Sequence, residues 1–340
     1  MTPLPGTLLV LVLQLAMGLP SAQRASRVYP ALFDSLPSMA GKVVAVTGAS
    51  RGLGLVTAIS LAKKGATVAL LCRPSETATD ARDAVAAVAT GPAPLLVACD
   101  HLDFESVRAA AATLREECAT SGLDVLCLNA GIMLQPDAAS QDGYDITIST
   151  NVLSHFLLTR ELMPSLELGA SLRGEARIVS MSSGSGFGPP AFDERFYERA
   201  GGNLGGQQAS YERYHQSKLA NLLFTASLHE RLTARGLSIK AIACTPGVCA
   251  TDMFVHVQQL SRPSVPVDMS QVMSVEDGAC AQLKCACDPE VASGELWGPR
   301  GMEGGPPTRV TIAPPTVLVD EQSKAALWAC CERAVGPFEL

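Results

Sequence analysis

Tyr214 and Lys218 are the residues whose types and spacing point most directly to proton chemistry. They stand four positions apart in a helical pattern, so the phenol and the ammonium share one helix face. A free phenol has a pKa of about 10 and is a poor base at neutral pH. A neighbouring positive charge, such as an ammonium, would stabilise the phenolate and lower that pKa. Alone, such a pair is typical of a helix surface, and Tyr211 has His215 rather than an ammonium four positions on.

A glycine-rich turn, TGASRGLG from Thr47 to Gly54, follows an apolar run that is typical of a buried strand. Glycines permit a tight turn and let the backbone approach a pyrophosphate, and the helix that starts there supplies unpaired N–H donors. Some glycine triplets are plain turns, but this one lies where dinucleotide binding requires it. The turn residues predicted to bind a cofactor are Gly48, Ser50, Arg51, Gly52, Leu53 and Gly54.

Arg73 follows the second apolar run, at a position where the cofactor's adenine ribose is expected. An acidic residue there would hydrogen-bond the ribose diol and favour NAD. The sequence instead offers Arg73, with Arg51 arriving from the glycine turn. Each arginine alone is typical of a solvated surface, but two guanidiniums at one ribose suit a 2′-phosphate. The pair therefore predicts NADP(H) as the cofactor.

These groups are positioned by strands and helices that alternate from Lys42 onward. The runs that predict strands are Val43–Thr47, Thr67–Cys72, Leu95–Cys99, Val125–Asn129, Arg177–Ser182 and Ser238–Cys244. The predicted helices are Gly54–Lys64, one that runs to about Ala89, Phe104–Ala119, one around Tyr144–Leu166, Tyr211–Ala234 and Glu321–Ala334. Continuous apolar strands that alternate with helices predict an α/β fold, a Rossmann-type doubly wound parallel sheet with helices on both faces.

Two stretches interrupt this alternation. Residues 184–210 contain seven glycines and two consecutive prolines, and they are predicted to form a long loop with little regular structure. Pro299–Pro315 is a second Gly/Pro-rich stretch, before the final helix. The sequence shows neither an internal repeat nor a linker, so residues 38–340 are predicted to form one domain.

The composition suits a globular domain and argues against a nucleic-acid binder. Hydrophobic residues make up 47% of the 340 and charged residues 17%; the net charge is −7, with no basic stripe. The five histidines are scattered, and the cysteine spacings match no usual zinc pattern, so no metal site is predicted. The cysteines are expected to be free and mostly buried thiols; among them, Cys280, Cys285 and Cys287 share one predicted helix.

The N-terminal residues 1–37 are predicted to be a targeting or anchor segment outside the fold. No charged side chain precedes Arg24, and Leu8 to Leu19 is apolar apart from Gln14 and Gly18. That run is short for a bilayer span, which needs about 20 residues, but it suits the apolar region of a signal peptide. The basic start of such peptides is missing. We therefore expect the secretory pathway, endoplasmic reticulum or a membrane surface, with a plastid or another organelle as the alternative.

Taken together, the motifs resemble the short-chain dehydrogenase/reductase family. Besides the glycine turn and the Tyr214/Lys218 pair, the match includes Asn129-Ala130-Gly131 after the fourth strand, Asn151 in the next helix, and Ser182-Ser183 after the fifth strand. The resemblance runs from about Gly41 to Gly336. It is specific because these motifs occur together, in the order and at the spacings of the family.

The resemblance implies a role for each matching residue. In the catalytic set, Ser183 would polarise the substrate oxygen, Tyr214 would exchange its proton, and Lys218 would lower the pKa of Tyr214 and hold the nicotinamide ribose. Asn151 would organise a proton-relay water, and Ser182 would pack. The residues implied in cofactor binding beyond the glycine turn and Arg73 are Asp100, Asn129, Ala130, Gly131, Tyr214, Lys218, Pro246, Gly247 and Thr251.

The C-terminal third resembles one branch of the family more narrowly. Gly278-Ala279, Asp288-Pro289-Glu290, Ser293-Gly294 and the terminal Leu327-Trp328 are similar to the retinol dehydrogenase and WW-domain oxidoreductase branch. That branch implies NADP(H), membrane association and a lipophilic alcohol or carbonyl substrate, and the family implies a possible homodimer. Two departures bear on the substrate: Glu295-Leu296-Trp297 replaces an expected aromatic, and the loop before Tyr214 is unusually rich in glycine.

The favoured interpretation is an oxidoreductase that transfers a hydride between NADP(H) and a carbonyl or alcohol carbon. One alternative is an NADP-binding regulatory protein without turnover, against which the complete Ser183/Tyr214/Lys218 set argues. Another is reduction of a carbon–carbon double bond in a pigment precursor, since protochlorophyllide reductases share the cofactor motif and the Tyr/Lys pair.

Overall fold

The computed structural model of the protein describes residues 25–189, 191–261, 272–300, 304–311 and 320–340. One sheet runs through this part of the chain. Its strands are β1 (Val43–Thr47), β2 (Thr67–Cys72), β3 (Leu95–Ala98), β4 (Val125–Leu128), β5 (Ala176–Met181), β6 (Ile239–Cys244), β7 (Leu296–Pro299) and β8 (Pro307–Arg309). They lie in the order β3-β2-β1-β4-β5-β6-β7-β8, parallel except for β8. The predicted doubly wound sheet is confirmed.

Helices flank this sheet and follow its strands. They are α1 (Tyr29–Ser35), α2 (Gly52–Lys63), α3 (Glu76–Ala86), α4 (Phe104–Glu117), α5 (Ser154–Arg173), α6 (Ser210–Ala234), α7 (Asp252–Ser261), α8 (Val275–Cys287) and α9 (Glu321–Val335). Every residue of β1, β4 and β5 is buried, because both faces of the sheet are covered. Parallel strands bring their carboxyl ends to one edge, where ligands of this architecture bind.

The last two strands were not predicted from the sequence. β7 has four residues and β8 has three, and the second lies inside the Gly/Pro-rich stretch Pro299–Pro315, for which no regular element was predicted. Proline cannot donate a ladder hydrogen bond, so it weakens a strand pattern, but an edge strand tolerates it. Pro307 occupies such an edge and pairs with Pro299.

The helix predicted around Tyr144–Leu166 is interrupted. An α-helical turn, Ile146–Ile148, leads into a π-helical turn, Ser149–Leu153, before the regular α5 begins. The carboxylate of Asp145 accepts hydrogen bonds from the backbone N–H groups of Thr147 and Ile148 and so starts the first turn. Asn151, a predicted catalytic residue, lies in the middle of the π turn.

The glycine-rich segment 184–210 forms three short 3₁₀ helices rather than a longer regular element. Its second half is held by Arg213, whose side chain is fully buried and forms an ion pair with Asp145 at 3.0 Å. The guanidinium also donates to the carbonyl oxygens of Leu204, Gly206 and Gln135. A buried guanidinium satisfied in this way fixes the loop against α6.

The eleven cysteines all lie in the described part of the chain, and all are buried free thiols, as predicted. Cys280, Cys285 and Cys287 share α8, which confirms their common helix. Burial is the main cause that raises the pKa of the thiols of Cys99 and Cys249 to about 12. Such thiols remain protonated at neutral pH and act as small apolar side chains.

The segment 25–37, which the sequence assigned to the N-terminal targeting region, packs against the domain. The carboxylate of Asp277 in α8 accepts hydrogen bonds from the backbone N–H groups of Arg27, Val28 and Tyr29 at 2.9 to 3.2 Å. The hydroxyls of Tyr29 and Ser60 lie 2.8 Å apart. These contacts make residues 27–29 part of the folded domain, although the sequence assigned them to the segment outside it.

The apolar run Leu8–Leu19, and with it the targeting prediction itself, lies outside the described residues and stays a prediction. Among the residues that the structure describes, no helix has the length and apolarity needed to cross a membrane.

Replacing Asp277 with Ala should lower the free energy of unfolding by about 1–3 kcal/mol, because three backbone N–H groups lose their acceptor. Urea unfolding measures this change. Asp80→Ala, on the exposed face of α3, serves as the matched control and should leave the midpoint almost unchanged. A chain that begins at Ser38 should be destabilised relative to one that begins at Ala25. Equal midpoints for these two chains would show that the segment adds nothing to the fold.

Candidate active site

Ser183, Tyr214 and Lys218, predicted as a catalytic set, come together at the carboxyl edge of the sheet. Ser183 follows β5, and its side chain hydrogen-bonds the phenol of Tyr214 on α6. The Lys218 ammonium nitrogen lies 5.8 Å from the centroid of the Tyr214 ring. The side chains of both α6 residues are buried. A substrate oxygen placed at this edge would thus meet two hydroxyl groups with an ammonium behind them.

Burial dominates the electrostatics of this cluster. It raises the pKa of Tyr214 to about 12, while the hydrogen bond with Ser183 lowers it. Burial also lowers the pKa of Lys218 to about 8. In the protein chain alone, the desolvation of the phenolate outweighs the hydrogen bond from Ser183, so the pKa of Tyr214 lies above its ordinary value.

Lys218 is held in place by the end of β5. Its ammonium donates to the carbonyl oxygen of Met181 at 2.9 Å, and the Asn221 amide donates to the same oxygen at 3.1 Å. The hydroxyl of Ser182 donates to the backbone carbonyl of Lys218 at 2.8 Å. Ser182 thus joins β5 to α6, in agreement with its expected packing role.

Asn151 lies beside this cluster, and both its amide nitrogen and its side-chain oxygen form hydrogen bonds. Its amide donates to the Ile132 carbonyl at 3.0 Å and to the Ser217 hydroxyl at 2.9 Å, and its oxygen accepts from the Ile132 N–H at 2.9 Å. A Cβ added at Gly131 would lie 3.4 Å from the Asn151 side-chain oxygen and 3.5 Å from the Lys218 nitrogen. Asn151, Gly131 and Lys218 are therefore immediate neighbours.

The glycine turn has the geometry of a cradle for a cofactor. Gly48 and Gly52 adopt positive φ angles of 64° and 57°, which favour glycine. A Cβ at Gly54 would lie 2.4 Å from the carbonyl oxygen of Gly48. The helix begins two residues earlier than predicted, at Gly52, and its N-cap residue Arg51 makes no side-chain hydrogen bond to the first turn. The N–H groups of that turn remain suited to an anionic phosphate.

Thr47 ties this turn to the segment after β4. Its hydroxyl oxygen accepts hydrogen bonds from the backbone N–H groups of Asn129 and Ala130 at 2.8 and 2.9 Å. The Asn129 amide donates to the Thr47 carbonyl at 2.8 Å, and Ala130 lies against Gly48. Asn129 and Ala130, predicted as cofactor-lining residues, are thus also part of the scaffold beneath the turn.

The residues predicted around the adenine ribose lie on three separate segments of the chain. Arg73 is exposed directly after β2, as expected. Arg51 forms an exposed ion pair with Asp252 at 3.5 Å, so it does not simply extend toward Arg73. Asp100 follows β3, and its carboxylate accepts from the Leu102 N–H at 3.0 Å.

Two residues of the glycine turn contact neighbouring elements instead of pointing into open space. The Ser50 side chain hydrogen-bonds the thiol of Cys72 at the end of β2. The Leu53 side chain lies against Gly278 of α8, where an added Cβ would come within 2.9 Å of it.

The segment after β6 approaches the glycine turn, as the predicted cofactor cover should. Gly247 has a φ of 70°, and Pro246 precedes it. The γ-methyl of Thr251 would lie 3.9 Å from a Cβ added at Gly52. Thr251 thus lies next to the glycine turn.

The sequence did not single out three residues of this site. Thr47 was treated as the start of the glycine motif, Ser217 as part of a Tyr–Lys spacing, and His155 as one of several scattered histidines. Their proximity to predicted site residues in the sequence could have indicated two of them, because His155 follows Asn151 by four residues and Ser217 directly precedes Lys218. Within the described residues, no three His, Cys, Asp or Glu side chains are grouped so as to hold a metal ion.

Comparison with known proteins agrees with this geometry. The family model for short chain dehydrogenase matches residues 42–194. Human retinol dehydrogenase 13 is 32% identical over 316 residues, which cover 89% of this chain and 87% of that protein. An oxidoreductase of Schizosaccharomyces pombe is 33% identical and covers 78% of both chains. A crystal structure of a protein from Mycobacterium paratuberculosis has a TM-score of 0.71 at 30% identity, with 93% of this chain and 100% of that chain covered.

Replacing Gly54 with Ala tests the close packing of the cradle. The added methyl would overlap the Gly48 carbonyl and the Asn129 amide, which lies 2.6 Å away. We expect a loss of about 1–3 kcal/mol in the free energy of unfolding, together with weaker dinucleotide binding. Gly188→Ala is the control, because its nearest contact would be 3.4 Å. Urea unfolding and a fluorescence titration provide both values. Parent-like values for Gly54→Ala would contradict the close approach.

Proposed function

This chain belongs to the short-chain dehydrogenase family, and we propose that it transfers a hydride between NADP(H) and the carbonyl or alcohol carbon of a lipophilic substrate. Members of this family are oxidoreductases that bind NAD or NADP. The observation that carries the proposal is the buried Ser183–Tyr214–Lys218 cluster at the carboxyl edge of the sheet, beside the glycine cradle.

The cradle fits a dinucleotide. The space that a Cβ at Gly54 would fill, together with the uncapped first turn of α2, provides close backbone approach and N–H donors for a pyrophosphate. Gly48, Gly52 and the segment from Pro246 to Thr251 would enclose the group. When bound, the nicotinamide supplies the hydride, and the protein supplies orientation and the proton.

Tyr214 is the proton donor in the direction of carbonyl reduction. Because burial raises its pKa, the phenol keeps its proton at neutral pH and can give it to an oxygen that gains negative charge. Ser183 donates a hydrogen bond to the same oxygen and stabilises that charge. The Lys218 ammonium, fixed by Met181, stabilises the phenolate that forms after the transfer.

Two observations support a lipophilic substrate. Large apolar side chains remain exposed on the segments that flank the cluster, namely Phe187, Tyr211, Val248 and Val255. Exposed apolar side chains grouped at a site favour an apolar ligand. The similarity to human retinol dehydrogenase 13 makes retinol and retinaldehyde the first substrates to test. Membrane association and a homodimer stay predictions.

Arg73 supports the choice of NADP(H) over NAD(H). A guanidinium directly after β2 favours a 2′-phosphate over a bare ribose diol. Arg51 would contribute as well, and it would then exchange its ion pair with Asp252 for the phosphate. That pair is exposed and worth little, so the exchange costs little.

The variant Arg73→Asp should weaken NADPH binding by about 1.5–3 kcal/mol, through the loss of a charged hydrogen bond and a new repulsion. Calorimetry with NADPH and NADH measures the preference, which should shift toward NADH. Arg82→Asp on α3 changes the net charge equally and should leave both affinities unchanged. Equal affinity of the parent protein for the two cofactors would defeat the NADP(H) assignment.

The variant Tyr214→Phe should reduce turnover by roughly 10²–10⁴, the range of a lost general acid–base group, while NADPH affinity and stability barely change. NADPH oxidation is followed by absorbance against a panel of ketones and aldehydes that includes retinaldehyde, and against protochlorophyllide with and without light. Reduction should also slow above about pH 8, as Lys218 loses its proton.

Tyr211→Phe, one helical turn away, controls for damage to α6 and should leave turnover nearly intact. Parent-like turnover of Tyr214→Phe on a verified substrate would refute the mechanism. NADPH binding without turnover on the whole panel would instead favour a regulatory protein, and light-dependent reduction would favour the pigment-precursor alternative.

A further inference from the structure

His155, the second residue of α5, connects the scaffold of the cofactor cradle to the catalytic cluster. It is 3% exposed, and its Nε2 lies 3.0 Å from the hydroxyl oxygen of Thr47. On the other side, its imidazole hydrogen-bonds the backbone of Asn151, one π turn earlier.

The neighbours of Thr47 fix the tautomer of this histidine. The Thr47 hydroxyl oxygen already accepts two backbone N–H groups, from Asn129 and Ala130, and a hydroxyl has two acceptor sites. It therefore has no acceptor site left for an N–H of His155. Its one proton can be accepted by the His155 Nε2 at 3.0 Å or by the Cys127 carbonyl oxygen at 3.3 Å, and Nε2 is the nearer of the two. With Nε2 as the acceptor, the ring proton resides on Nδ1. That proton is what the backbone carbonyl of Asn151 can accept.

Burial, together with the charged and titratable groups around His155, keeps its ring neutral. Burial lowers its pKa well below the usual value, and the nearby Lys218 ammonium and His101 imidazole lower it further. The His101 ring lies 5.1 Å away at 75° to the His155 ring, and burial lowers its own pKa to about 4. A neutral ring with one donor and one acceptor can serve both neighbours at once across the working pH range.

We propose that His155 is a positioning residue for the reaction: its Nδ1–H holds the backbone of Asn151, and thereby sets the place of Lys218, while its Nε2 holds Thr47. The π turn departs from regular α-helical hydrogen bonding, and the imidazole supplies a fixed partner to its central residue. The Asn151 side chain donates to the hydroxyl of Ser217, the residue before Lys218, and both the Asn151 oxygen and the Lys218 nitrogen lie next to Gly131. This inference rests on the proposed function, since proton transfer by Tyr214 is the step it serves.

Two variants test the hydrogen bonds of the two His155 ring nitrogens separately. His155→Asn places an amide near the former Nδ1 and keeps the donor to Asn151, but it cannot reach Thr47. His155→Gln places its amide oxygen near the former Nε2 and keeps the acceptor for Thr47, but it loses the donor to Asn151. Both remain polar and smaller than or similar to histidine, so both lose some stability, which thermal unfolding measures.

We expect His155→Gln to lower kcat about tenfold with an unchanged KM for the carbonyl, the scale of one lost hydrogen bond. His155→Asn should keep kcat within about twofold and bind NADPH about threefold more weakly. A merely structural role would move kcat and the melting temperature together in both variants. That outcome overturns the proposal, and so does a higher kcat for His155→Gln than for His155→Asn.

Matched controls and a second readout distinguish this proposal from the function itself. His229, whose Nδ1 lies 2.9 Å from the Ser293 hydroxyl, is changed to Asn and to Gln, and neither variant should alter kcat. If Tyr214→Phe loses turnover but His155→Gln does not, the function stands and the positioning role fails. If Tyr214→Phe keeps turnover, the proposed function fails. Nitrogen-15 NMR of labelled histidine should report the Nδ1–H tautomer, and an Nε2–H signal at neutral pH overturns the network directly.

Discussion

The rest of the site depends on the hydrogen bonds that the Thr47 hydroxyl forms with the segment after β4. By accepting the N–H groups of Asn129 and Ala130, this hydroxyl locks the end of β1 to the segment after β4. The glycine cradle follows Thr47 directly, and the chain after Ala130 leads to Gly131, against which Asn151 and Lys218 pack. Because a buried hydroxyl with every bond used has no alternative geometry of similar energy, these two segments keep one relative position.

The Ser183–Tyr214–Lys218 cluster shows how desolvation shifts the pKa values of buried groups. An exposed phenol and ammonium would keep their ordinary pKa values, whereas burial moves the pKa of Tyr214 up to about 12 and that of Lys218 down to about 8, away from one another. The raised value keeps the phenol of Tyr214 protonated at neutral pH. The carbonyl of Met181 limits the cost by giving the buried ammonium a partner.

The sequence predicted the features that depend on residues close together in the chain, and it did not predict those that depend on distant partners. The six main strands are continuous apolar runs, and Tyr214 and Lys218 are four residues apart on one helix, so periodicity and spacing predicted them. The π turn at Asn151, the edge strand at Pro307 and the bond between His155 and Thr47 depend on partners far along the chain. The ion pair of Arg51 with Asp252 is another such case, since neither residue's neighbours in sequence indicate it.

Asp277 gives the N-terminal segment a mechanical connection to the cofactor site. Its carboxylate holds the chain at Arg27 to Tyr29, and the next residue, Gly278, is packed so closely that an added Cβ would lie 2.5 Å from the Cys249 sulfur and 2.9 Å from Leu53. One turn of α8 thus contacts the segment 25–37, the segment after β6 and the glycine turn. A force applied through residues 27–29, from a fused domain or a surface that holds them, would therefore reach the glycine turn, where we propose that the dinucleotide binds.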